Sequence, residues 1–124
     1  MAQPVRLLIA DDSARTREGL RVLFATWPEI TVVGEAADGQ EAIQLVAEHQ
    51  PDVVLMDLHM PVLDGVQATR LIKQRWPAVA VVALTMYAVE QTAAIAAGAD
   101  AFVIKGSPPE RLLAALGVGA GMES

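Results

Sequence analysis

At 124 residues the chain is sized for one domain that buries roughly two-thirds of its unfolded surface, and 53% hydrophobic residues exclude a disordered tail. The net charge of −6 argues against a surface that grips nucleic acid, because phosphate binding needs a basic stripe. The absence of cysteine removes disulfides, thiolate metal sites and cysteine nucleophiles together.

The first apolar run, VRLLIA (5–10), meets Asp11-Asp12 too soon to be a signal peptide. Leu20, Leu23 and Phe24 then mark a helix that Trp27-Pro28 closes, since proline cannot continue it. TVVGEA (31–36) predicts a second strand, and Asp38-Gly39-Gln40-Glu41 reads as a capping box. The helix it starts carries Ile43, Val46 and Ala47 on its apolar stripe, with Leu45 off it. DVVLMD (52–57) predicts a third strand that runs straight into a carboxylate, Asp57. Asp64-Gly65-Val66-Gln67 is a second capping box, opening a helix of Val66, Thr69 and Leu71-Ile72 that ends at Trp76-Pro77. AVAVVAL (78–84) predicts a fourth strand.

The next helix, over 88–97, has no good cap and is mostly alanine, with Val89 and Ile95 its only large aliphatics. It should be the most weakly anchored of the five. AFVIK (101–105) predicts the last strand. Ser107-Pro108-Pro109-Glu110 reads as a third capping box with Pro108 at the first helical position, before Leu112, Leu113 and Leu116.

The strands are β-branched and nearly continuous in apolar character, as strands covered on both faces are. Five of them alternating with five helices predict a doubly wound α/β sandwich with a parallel sheet. Ligands bind such sheets outside the carboxyl ends of the strands. No apolar stretch is long enough to span a membrane, so a soluble, cytoplasmic protein is expected.

Four of the five strands deliver a charge or hydroxyl to that edge: Asp11-Asp12, Asp57, Thr85 and Lys105. Each has a purely structural alternative. Asp12 could cap a helix, Thr85 could bond backbone, and Lys105 could be a solvated strand end. Together on one rim they point to a site. Three carboxylates so close would raise one another's pKa without compensation. Lys105, one of only two lysines, supplies one positive charge. A hard cation such as Mg²⁺, which accepts carboxylates and leaves room for a phosphate oxygen, supplies the rest. Zinc fits poorly, because soft ligands are missing and His59 stands alone. A carboxylate between a metal and a lysine can act as a nucleophile towards phosphorus.

IADDS (9–13), LMDLHMPVLDG (55–65), ALT (83–85) and GADAFVIKG (98–106) resemble the receiver domain of two-component response regulators. The flavour is most similar to receivers of regulators with a helix-turn-helix DNA-binding domain. The resemblance implies a flavodoxin-like, five-stranded sheet in the order 2-1-3-4-5, with a receiver domain over 1–117 and a tail or linker over 118–124.

The resemblance also implies roles. Asp57 accepts a phosphoryl group from a sensor histidine kinase. Asp12 ligates Mg²⁺ directly, Asp11 acts through water, and Asp57 and the His59 backbone carbonyl complete the protein's share. Lys105 contacts the phosphoryl group, Thr85 hydrogen-bonds it after transfer, and Phe102 is the switch aromatic that turns inward. His59 and Tyr87 would crowd the path of water and prolong the phosphoryl lifetime. Homodimerisation on phosphorylation and a C-terminal DNA-binding output domain follow as expectations, with no direct nucleic-acid or membrane binding by this chain.

Three residues depart from the family pattern. Gly106 replaces a proline, so a cis bond after Lys105 is not expected. Met86 is larger than usual and would narrow access to the phosphate, and Phe102 lacks a tyrosine hydroxyl. Among competing readings, a haloacid-dehalogenase-type phosphatase needs a second Asp where His59 stands. An FMN carrier needs a hydroxyl- and glycine-rich loop where Asp11-Asp12 stand. GVGAG (117–121) superficially resembles a dinucleotide loop but follows a helix. A pseudo-receiver acting without phosphorylation is the strongest rival, and the intact acidic cluster with Thr85 and Lys105 counts against it.

Overall fold

The computed structural model describes residues 3–117. The elements run β1 (Val5–Ala10), α1 (Ala14–Ala25), β2 (Ile30–Ala36), α2 (Gly39–His49), β3 (Val53–Asp57) and α3 (Gly65–Arg75). They continue through β4 (Ala80–Thr85), a 3-10 turn (Ala88–Glu90) leading into α4 (Gln91–Ala96), then β5 (Ala101–Ile104) and α5 (Pro109–Ala115). The five strands form one parallel sheet in the order β2-β1-β3-β4-β5, the expected doubly wound, flavodoxin-like arrangement. The expected tail at 118–124 lies outside the described residues, as does most of GVGAG.

Alternate residues of each strand face opposite layers. Leu7, Ile9, Leu55, Val82 and Leu84 pack with Phe24 of α1 and Leu112 of α5. Leu8, Val54, Met56 and Val81 pack with Ala42 and Val46 of α2 and Ala68 and Ile72 of α3. Each large side chain so buried stabilises the fold by about 1.5–3 kcal/mol. Both tryptophans are half-buried against these two layers, and each Trp-Pro pair follows a helix end.

The two aspartate caps form as expected. Asp38 accepts from the Glu41 amide and Asp64 from the Gln67 amide, each at 2.8 Å. The Glu41 carboxylate returns to the Ala37 amide, one residue earlier than a standard box.

Four expectations are corrected. Ser107 caps nothing: α5 begins at Pro109, and Pro108 occupies the capping position with no side-chain hydrogen bond. Two consecutive prolines fix the backbone there and leave the hydroxyl out of register. On α2 the buried stripe is Gly39, Ala42 and Val46, while Ala47 is exposed. The close approach of helix to sheet selects small residues at the contact. The helix predicted over 88–97 starts as a 3-10 turn and is α-helical only over Gln91–Ala96. Val89 (88% exposed) and Ile95 (47%) point outward, so this helix is held by Ala94 and the following Ala97 instead. Lys105 lies just past the end of β5.

Candidate functional site

Parallel strands bring all their carboxyl ends to one edge, and the polar residues that follow them meet there. Asp57 is the last residue of β3 and only 2% exposed. Its loop is folded back tightly: the Gly65 amide donates to the Leu58 carbonyl at 3.1 Å. A Cβ on Gly65 would lie 2.2 Å from the Asp57 carbonyl, so only glycine fits. The His59 amide donates to Asp57 Oδ1 at 3.1 Å, fixing the carboxylate.

Asp11 follows β1 and is 1% exposed. Its Oδ1 accepts from the Ser13 amide at 2.9 Å and its Oδ2 from Lys105 Nζ at 3.1 Å. Lys105 Nζ is also 3.5 Å from Asp57 Oδ1, so the ammonium bridges two carboxylates. Asp12 is exposed at the rim, and among the described residues no hydrogen bond occupies its carboxylate. It does not cap α1; Ser13 does, accepting from the Thr16 amide at 3.1 Å. Carboxylate oxygens of Asp11, Asp12 and Asp57 lie within 4.8 Å of one another. This donor set is hard, anionic and open on one side, which fits a small divalent cation such as Mg²⁺.

Burial pushes the Asp57 carboxyl above its ordinary value; the His59 amide and Lys105 pull it back, while Asp11 and Asp12 push it further up. Burial opposes the charge on Lys105, but its bond to Asp11 and the charge of Asp57 leave its pKa raised. Lys105 is therefore held as a cation. Gly106 behind it adopts φ 88°, and no cis peptide bond occurs among the described residues. Glycine adopts this left-handed backbone at no steric cost.

Thr85 ends β4 and is fully buried. It accepts from the Tyr87 amide at 3.2 Å and donates its hydroxyl proton to the Glu90 carboxylate. Glu90 Oε2 lies 2.7 Å from His59 Nε2. The His59 and Tyr87 rings meet edge to face, with centroids 5.5 Å apart. Met86 is 64% exposed and does not line the cleft formed by Asp12, His59 and Glu90. Phe102, on β5 two residues before the partner of Thr85, is half-buried against Leu58, Ala83, Ala94 and Ala99.

Three residues of the site escape a reading of the sequence. Arg17 donates from Nη1 to the Asp11 carbonyl at 2.6 Å and from Nε to Glu35 at 3.1 Å, pinning the acidic loop to β2. Arg21 holds the other oxygen of Glu35 at 2.7 Å. The remaining one, Glu90, sits in a turn with no periodic pattern. The only available signal for Arg17 is its place on α1 one turn beyond the acidic pair.

Residues 7–117 match the family described as the response regulator receiver domain. The chain belongs to that family. The receiver is 44% identical over 111 residues to the transcriptional regulatory protein YhcZ of Bacillus subtilis (strain 168), covering 88% of this chain and 52% of that one. It is 33% identical over 116 residues to the nitrate/nitrite response regulator NarL of Escherichia coli (strain K12), covering 92% and 54%. Among solved structures, the signal receiver domain of NarL from Mycobacterium tuberculosis superposes with a TM-score of 0.87 at 30% identity, covering 93% of this chain and 94% of that one. The chain thus spans about half the length of the curated relatives it matches. No helix among the described residues is long and apolar enough to cross a membrane.

Proposed function

We propose that this receiver domain accepts a phosphoryl group on Asp57 from the phosphohistidine of a sensor histidine kinase. The observation that carries the reading is the placement of Asp57: buried at the tip of β3, bonded to its own loop, and set between Lys105 and two further carboxylates. A carboxylate oxygen of Asp57 attacks phosphorus as the phosphorus–nitrogen bond breaks, and the leaving imidazole keeps the electron pair. The Lys105 ammonium meets a phosphoryl oxygen and offsets its charge. The Thr85 hydroxyl turns to donate to another. Asp12, Asp57 and the His59 carbonyl, with Asp11 through water, would hold Mg²⁺, which supplies charge neutralisation to the carboxylates and phosphoryl oxygens. His59 and Tyr87, whose rings meet edge to face, shield the acyl phosphate from in-line water and prolong its life. Phe102 follows Thr85 inward and changes the α4–β5–α5 face.

That face is read by a second copy of the receiver or by a DNA-binding output domain joined through residues 118–124, in keeping with the transcriptional role in the name of YhcZ. The setting is the cytoplasm, where the kinase presents its phosphohistidine. Incubation with acetyl phosphate and Mg²⁺ should add one phosphoryl group, labile to acid and base, to the wild type and none to Asp57→Asn. Equal labelling of both, or labelling undiminished by a chelator, would reject the assignment.

A further inference from the structure

We propose that Glu90 is a latch that holds the Thr85 hydroxyl in its resting position and ties the start of α4 to the site. On this view phosphorylation moves α4 by taking Thr85 away from Glu90. The inference rests on the reading of Asp57 as phosphoacceptor, and it names the group that a phosphoryl oxygen must displace.

A threonine hydroxyl has one proton to donate. In this structure that proton goes to the Glu90 carboxylate. A phosphoryl oxygen on Asp57 needs the same proton, so the two bonds are mutually exclusive. Glu90 also lies within reach of His59 on the β3–α3 loop, at 2.7 Å. The carboxylate therefore links the end of β4 to the β3–α3 loop, and it lines one cleft together with Asp12 and His59. Burial works against its charge, yet the bonds from Thr85 and His59 hold its carboxyl below the ordinary range, so it is ionised in the resting state.

Position turns this contact into a switch. Glu90 is the last residue of the 3-10 turn and the residue directly before α4. Neither the turn nor α4 has a side-chain cap, and α4 itself buries only Ala94. The polar bridge from Thr85 and His59 to Glu90 thus stands where α2 and α3 have an aspartate cap. An arriving phosphoryl group also repels the Glu90 carboxylate, so loss of the Thr85 bond and charge repulsion drive the turn in the same outward direction. Glu90 is a positioning residue, acting on the phosphoryl group through Thr85.

Two variants separate the latch from simple charge removal. Glu90→Ala deletes the acceptor and the charge; Glu90→Gln deletes the charge and keeps an amide oxygen that can accept from Thr85. In the unphosphorylated chain, NMR couplings should report one Thr85 side-chain rotamer in wild type and Glu90→Gln, and rotamer averaging in Glu90→Ala. Titration with beryllofluoride and Mg²⁺ should then show a gain of about tenfold in affinity for Glu90→Ala, the scale of one hydrogen bond to a charged group, and a smaller gain for Glu90→Gln. An unchanged Thr85 rotamer in Glu90→Ala, or equal gains in both variants, overturns the latch. Wild type that binds no beryllofluoride strikes instead at the Asp57 reading, while the rotamer measurement still decides the latch.

Discussion

Burial raises the Asp57 carboxyl above its ordinary value of 3.8, and the neighbouring aspartates add to the effect. An acid raised on folding destabilises the folded state once it ionises. The penalty is absent below the unfolded value, grows as pH rises above it, and is complete above the raised folded value. Asp57→Asn should therefore melt at a higher temperature than wild type at pH 7 in metal-free buffer, and the gap should close as pH falls below 3.8. Mg²⁺ should narrow the gap by stabilising wild type more than the variant, because ligand that binds only the folded state raises its stability. Thermal melts across pH with and without Mg²⁺ check both halves. A wild type that melts higher than the variant in metal-free buffer would mean that Lys105 compensates the cluster fully.

Among the elements, helix starts separate into those set by a side chain and those set by backbone. Asp64 bonds the Gln67 amide at the head of α3, next to the loop that follows Asp57. Asp64→Ala should cost about 1 kcal/mol of unfolding free energy. Ser107→Ala should cost close to nothing, because α5 is started by Pro108 and Pro109 with no bond from Ser107. Urea denaturation with equal slopes measures both; a loss at Ser107 comparable to that at Asp64 would contradict the backbone account. The aspartate caps are legible in sequence because the bond closes within three residues. The start of α4 is not: a 3-10 turn precedes it, and its two large aliphatics, Val89 and Ile95, face outward while alanine makes the contact. On α2 the buried Ala42 carries less hydrophobic signal than the half-buried Ile43 and Leu45, which lie beside the contact.

Over the whole molecule, the placing of Asp11, Asp57, Thr85 and Lys105 on one rim is legible because a parallel sheet collects strand ends by geometry. The strand order is legible only through the resemblance to receiver domains. The pairings that join distant elements are not legible. Arg17 meets Glu35 across eighteen residues of sequence, and Glu90 reaches His59 across thirty-one; no periodicity records either. The two sides of the Asp57 cleft also differ in packing. On one, Gly65 presses its backbone against that of Asp57 with no room to yield. On the other, a six-residue helix rests on alanine. The second side has less to hold it in place, and any coupling between binding there and binding at the site is reciprocal. A partner that grips displaced α4 must tighten beryllofluoride binding by the same factor by which beryllofluoride tightens the partner. Titrations in both orders, with an isolated output domain or a second receiver, should close that thermodynamic cycle; unequal factors would place the partner's contacts elsewhere. A helix with so little holding it down lets the reader of the signal help to write it.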